Sequence, residues 1–171
     1  MALTADHGMK PKHDDSGAPY VAFLGSILGP DARVILPITD PYVKHHGSLG
    51  GYATIYVEDV NGAKRTLEEA RDDRLNFDVY TAKEASEMFE LPIDRIGDLV
   101  VVGDHRTVLG RTPEYHDLSE VPWLRTHGAV SETDVPLISN FELSEERLRN
   151  RLGSGAMRNF DIFDVLLNGS K

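Results

Sequence analysis

The chain has no cysteine, which excludes disulfides, thiolate zinc sites and a cysteine nucleophile. Positive charge is scarce. Eighteen Lys and Arg stand against twenty-eight Asp and Glu, a formal net charge of -10 with a pI near 5.1. That balance argues against nonspecific binding to nucleic acid or an anionic membrane, both of which need clustered cations. No apolar run approaches the roughly 18 residues that a membrane span requires. No leader-like pattern opens the chain either, since Met1-Ala2-Leu3-Thr4 runs directly into Asp6-His7-Gly8; the expected compartment is the cytoplasm. The P-loop, GxGxxG and GxSxG motifs are all absent. What is present is ordinary globular material, with 40% hydrophobic and 27% charged residues. At 171 residues the chain can bury a core without covalent staples, as one domain or two small ones.

The hydrophobic pattern alternates between strand and helix. Ala2-Leu3-Thr4-Ala5 reads as the end of a buried strand that gives way to a polar loop, an abrupt opening that predicts further protein upstream. Residues 20–28 read as a short helix stopped by Gly29-Pro30, and 33–38 as a strand bent at Pro37. Residues 52–58 alternate as a strand and 60–71 as a helix, followed by a short strand at 77–80. Thr81 with Glu84 forms a capping box for a helix whose apolar face is Ala85, Met88 and Phe89. Leu99-Val-Val-Val102 has no polar side and predicts a strand buried on both faces. Thr107-Val-Leu109 is expected to pair with it across the turn at Gly103-Asp104. Val135-Pro-Leu-Ile138 reads as a second buried strand, 143–152 as a helix, and 159–168 as an amphipathic helix with Phe160, Phe163, Leu166 and Leu167 inward. The mixture predicts α/β or α+β architecture.

Seven histidines are the residues best suited to chemistry. In Asp6-His7-Gly8 a carboxylate and an imidazole leave a strand end together, a donor pair suited to a zinc-type ion, and Gly8 permits a sharp turn. The plainer reading is a loop aspartate capping its own turn. His127 lies in Thr126-His127-Gly128, within a polar loop, and could equally be bonded to a backbone carbonyl. His45-His46-Gly47 follows a strand and could overhang a pocket; adjacent residues of a strand point apart, so at most one of the two contacts a substrate, and the plainer reading is a surface loop. Asp104-His105 repeats the Asp-His pair but reads as a tight turn, and His13 and His116 read as solvated.

Taken in order, these stretches resemble one family. Thr4-Ala-Asp-His-Gly-Met9 resembles the metal-binding segment of the alkaline phosphatase superfamily, which includes the nucleotide pyrophosphatase/phosphodiesterases. Arg33 to Val43 with His45-His46-Gly47, Leu91-Pro92 through Val102, and Leu124-Arg-Thr-His-Gly128 leading into Val135 to Ile138 resemble the phosphonoacetate hydrolase family within it. The resemblance covers nearly the whole chain.

It implies an α/β fold, a partial alkaline-phosphatase-like sandwich with a smaller α+β insert. The expected parts are 1–32 as metal loop and start of the core, 33–90 as a cap-like insert, and 91–171 as the rest of the core. It implies two zinc ions, a threonine nucleophile on one and a water activated by the other, with phosphonoacetate split into acetate and phosphate. By the resemblance Asp6 and His7 hold the nucleophile's zinc, and His127 holds the other. His7 and His127 lie 120 positions apart (127 minus 7). His45 and His46 are candidate substrate contacts. The nucleophile, the other ligands and the lysines for the substrate carboxylate lie upstream of the Asp-His pair in the family. The expectation is therefore the C-terminal part of such a hydrolase, inactive without its N-terminal half. Alternatives are a non-catalytic metal- or partner-binding remnant, a phosphodiesterase of the same superfamily, or an unrelated α/β domain. The expected partners are a small anionic phosphonate, the N-terminal half, and a second copy of the chain through uncovered apolar strands.

Overall fold

The computed structural model describes residues 1–38, 49–119, 121–146 and 157–169. The chain forms two compact units, one of residues 1–8 with 133–171 and the other of residues 9–132. The architecture is mixed α/β with small sheets.

The larger unit is organised by strand β7, Leu99–Gly103, every residue of which is buried. It lies inside a four-stranded antiparallel sheet of order β4-β5-β7-β6, with β4 at Arg33–Ile35, β5 at Tyr52–Tyr56 and β6 at Phe77–Thr81. Its side chains alternate between two apolar clusters, as the two-residue period of a strand requires. Leu99 and Val101 join Ala53, Ile55, Phe77 and Val79 beneath helix α2, Val60–Glu69, which contributes Ala63 and Leu67. Val100 and Val102 join Ala85 of helix α3, Ala82–Phe89, together with Ile96 and Ala129. The sheet thus draws strands from both sides of residue 90, and strand 99–103 sits among strands of the expected insert.

The capping box forms as expected. Thr81 Oγ1 accepts from Glu84 N at 3.3 Å, and Thr81 N donates to Glu84 Oε2 at 2.7 Å. Lys64 of α2 adds a 2.8 Å bond to the same carboxylate oxygen. The ammonium of Lys64, then the Thr81 amide and hydroxyl, hold the Glu84 carboxyl down at about 2, from an ordinary 4.5.

Several expectations need correction. Residues 20–28 are not one helix: Val21–Phe23 is strand β3, and only Leu24–Leu28 is helical, as α1. Strand β8, Val108–Gly110, does not form a hairpin with β7; it pairs in parallel with β3. Met88 of α3 is exposed. His116 is buried rather than solvated, because its Nε2 accepts the Arg111 amide at 2.9 Å. A third apolar cluster, with Val21, Leu49, Val108 and Leu124, packs around β3 and β8.

In the smaller unit, β1 (Ala2–Leu3) pairs antiparallel with β10 (Ile138–Ser139). Val135 to Ile138 is not a buried strand. Pro136 has no amide to give a ladder, only Ile138 pairs, and its side chain is 55% exposed. Helix α4, Ile162–Asn168, turns Val165 inward, while Phe160 before it and Phe163, Leu166 and Leu167 on it are exposed, the reverse of the expected face. The expected helix at 143–152 falls largely on 147–156, outside the described residues. Among the described residues no helix is long and apolar enough to cross a membrane.

Two stability outcomes follow from these contacts. Leu67→Ala empties a fully buried position and is expected to cost about 2–5 kcal/mol in urea unfolding, whereas Leu167→Ala, at an 81% exposed site, stays within about 0.5 kcal/mol. Because folding lowers the Glu84 pKa, its contribution is complete above pH 4.5 and fades as pH falls toward 2. The gap in urea midpoint between the unaltered chain and Glu84→Gln should therefore close across that window; a gap that widens toward acid would contradict the assignment.

Candidate functional site

Asp6 and His7 follow β1 in the smaller unit. The His7 amide donates to Asp6 Oδ1 at 3.1 Å, which turns the carboxylate back over its neighbour. His7 Nδ1 lies 2.9 Å from the Gly8 carbonyl oxygen. A carbonyl can only accept, so Nδ1 carries the proton and Nε2 is the lone-pair nitrogen of the neutral ring. Nε2 stands 3.7 Å from Asp6 Oδ2. Two ligands each about 2.0 Å from a tetrahedral zinc are about 3.3 Å apart. The pair therefore suits two positions of one zinc site, with the imidazole tautomer set by a backbone carbonyl as is usual for metal ligands. Asp6 also lines a cleft of about 460 Å³ with Thr133, Asp134, Arg158 and Asn159.

His127 belongs to the larger unit. It follows β9, Arg125–Thr126, which pairs antiparallel with β2, Lys10–Pro11. Its carbonyl accepts the Gly51 amide at 2.7 Å, its Nδ1 is buried, and the ring is half-buried overall. Gly128 has φ +108°, and a Cβ there would meet Ile38 Cγ1 at 2.9 Å and Gly51 N at 3.1 Å. Glycine is needed at this position both for its dihedral and for space.

Asp6 and His7 are thus adjacent, and His127 lies in the other unit. Among the described residues no three His, Asp or Glu side chains group closely enough to hold a metal ion. The chemistry of the donors fits zinc, while the set in hand amounts to a pair and a single histidine. His45 and His46 lie outside the described residues.

Asp104 and His105 form the turn that their sequence suggests. Burial works against ionising Asp104, but the amides of Arg106 and Thr107 and the Thr107 hydroxyl outweigh it and hold the carboxyl below its ordinary value. His13 and His105 nevertheless line a second cleft of about 420 Å³ with Lys10, Arg106 and Trp123. The Trp123 indole meets the His13 ring edge-on at 4.9 Å, on a backbone with φ +63°. Nothing in the sequence pattern singled out Trp123. Lys12 and Glu132 were missed as well. They form a buried ion pair at 3.1 Å beside the His127 loop.

No family model matches the chain. Solved structures do. Phosphonoacetate hydrolase from Sinorhizobium meliloti 1021 in complex with phosphonoformate superposes with a TM-score of 0.72 at 40% identity, covering 95% of this chain and 40% of that one. Along nearly its whole length the chain is similar to phosphonoacetate hydrolase. The same hydrolase in complex with phosphonoacetate gives a TM-score of 0.73 at 39% identity over the same shares. Murine ectonucleotide pyrophosphatase/phosphodiesterase 5 matches 96% of this chain with a TM-score of 0.57 at 18% identity, a likeness of fold. The chain spans 40% of the length of the phosphonoacetate hydrolase that it matches.

Gly128→Ala tests the loop geometry. With positive φ and two close contacts, the variant is expected to lose about 1–3 kcal/mol in urea unfolding with an unchanged m-value; an unchanged midpoint would show that the loop around His127 yields freely.

Proposed function

We propose that this chain supplies part of the zinc site of a phosphonoacetate hydrolase, which converts phosphonoacetate and water to acetate and phosphate. The observation that carries the reading is the 40% identity over 95% of the chain to a hydrolase whose structures hold phosphonoacetate and phosphonoformate. The Asp6–His7 pair adds chemical support.

In this reading Asp6 and His7 hold the zinc that carries the nucleophile, and His127 holds the zinc that serves the water. Bound zinc supplies Lewis-acid charge that neutralises phosphoryl oxygens and lowers the pKa of an attached water. The residues of this chain do the rest. Asp6 contributes one negative charge, and its neighbour's amide turns it toward His7. His7 gives its proton-bearing Nδ1 to Gly8 O, so Nε2 is aimed by the backbone and not by a flexible side chain. The paired strand before His127 and the Gly51 amide on its carbonyl fix the backbone of the second histidine. Two bound cations also explain how a protein of net charge -10 would receive a dianionic phosphonate. One of His45 and His46 is proposed as a contact to that substrate. The threonine nucleophile and the other ligands would come from the part of the family fold that lies outside these residues.

The test is to mix the chain with the complementary N-terminal segment of the Sinorhizobium hydrolase and zinc, and to follow phosphate release from phosphonoacetate. Turnover is expected in the mixture and not with either piece alone. His7→Ala and His127→Ala should each lower kcat by at least about 100-fold, while His105→Ala leaves it within about twofold. Turnover by the chain alone, or equal loss in the His105 variant, would contradict the reading. A phosphodiesterase would show itself by cleaving a nucleotide diester faster than phosphonoacetate.

A further inference from the structure

Lys12 is fully buried, an unusual position for a lysine. Its ammonium donates to Glu132 Oε1 at 3.1 Å and to the Asp104 carbonyl at 3.0 Å. Its own amide donates to Leu124 O at 2.9 Å, continuing the β2–β9 pairing by one residue. Glu132, 3% exposed, is equally committed. Its Oε1 also accepts the Ser131 hydroxyl, and its Oε2 accepts the Ala129 amide at 2.8 Å. The carboxylate therefore closes the short turn Val130–Glu132 back onto the residue two places after His127.

A buried ion pair is a poor device for stability alone, since desolvation offsets most of the attraction and an apolar pair of similar volume often serves as well. Here the pair does something that an apolar pair cannot. It presents one carboxylate oxygen to one particular amide, at Ala129, and anchors the other through Lys12 to the strand that pairs on the other side of His127. The histidine backbone is then held before, at and after its own position: by β2 at Thr126, by Gly51 at its carbonyl, and by Glu132 at Ala129. The φ of +108° at Gly128 lies inside this bracket, so the chain cannot relax by extending.

The geometry points to Lys12 and Glu132 as positioning residues for His127, which aim its imidazole by fixing the loop on either side. This rests on the reading of His127 as a zinc ligand only for its purpose; the placement itself can be measured without metal. Orientation of this kind supports ligands that touch the ion, and losing it costs metal affinity by about ten- to hundredfold.

The experiment uses the full chain with labelled histidine and backbone amides. Lys12→Met and Glu132→Gln are each expected to move the His127 ring resonance and to accelerate Ala129 amide exchange at least about tenfold. Leu67→Ala, which weakens the core away from the loop, should leave both unchanged. A double variant, Lys12→Met with Glu132→Leu, removes both charges together, so that neither is left buried without its partner, as one is in each single variant. It lacks the acceptor for Ala129 and should show the same ring shift and fast exchange. The inference is overturned if Leu67→Ala produces the same changes, or if the double variant folds with Ala129 still protected. Zinc added to the chain joined with the complementary segment of the Sinorhizobium hydrolase is a separate arm: a zinc-dependent shift of the His127 ring supports the ligand reading, and its absence counts against that reading and not against the positioning.

Discussion

Strand β7 has no polar side chain between Leu99 and Val102, so neither of its faces can meet water. That constraint organises the larger unit. Covering one face requires α2, and covering the other requires α3, so β7 must sit inside a sheet and not at its edge. Pairing on both sides also removes its exposed amides and carbonyls, which an edge strand would have to protect in some other way. Ala129, two residues after His127, belongs to one of the clusters that this strand creates. The apolar core and the histidine loop are therefore one piece of packing.

Around that loop the structure spends polar groups where apolar ones would have been simpler. Lys12 pays a desolvation cost, felt as a pKa pushed down by burial and pulled back by Glu132 and Asp104. In return the carboxylate of Glu132 reaches a backbone amide at a fixed place. A similar economy operates at His7, where a neighbouring carbonyl sets the tautomer. At His7 the backbone sets the ring's tautomer, and at His127 it fixes the main chain that carries the ring.

The strands β5 and β7, helix α2 and the capped start of α3 were legible because their signals are local: alternation, an unbroken apolar run, a threonine three residues before a glutamate. What was not legible depends on distant partners. Nothing near Val108 says that β8 will pair with β3 in parallel and not fold back on β7. The run from Val135 to Ile138 looked buried by hydrophobicity, yet Pro136 had already withdrawn a ladder donor. The apolar residues of 159–168 do form a stripe at helical spacing, but spacing cannot say whether that stripe faces the interior, and most of it is exposed. Within the candidate site, Asp6, His7 and His127 came from motif resemblance. Lys12 and Glu132 could not have come from it, because a lysine in a polar stretch gives no sign that it will be buried.

The central proposal is that this chain supplies ligands to two different zinc ions, on a fold similar to that of phosphonoacetate hydrolase. The most direct measurement is anomalous scattering at the zinc edge from crystals of the chain joined with the complementary segment of its Sinorhizobium relative. The account predicts two separate zinc peaks, one within bonding distance of Asp6 and His7 and the other within bonding distance of His127. A single peak shared by all three residues, or peaks that touch none of them, would contradict it.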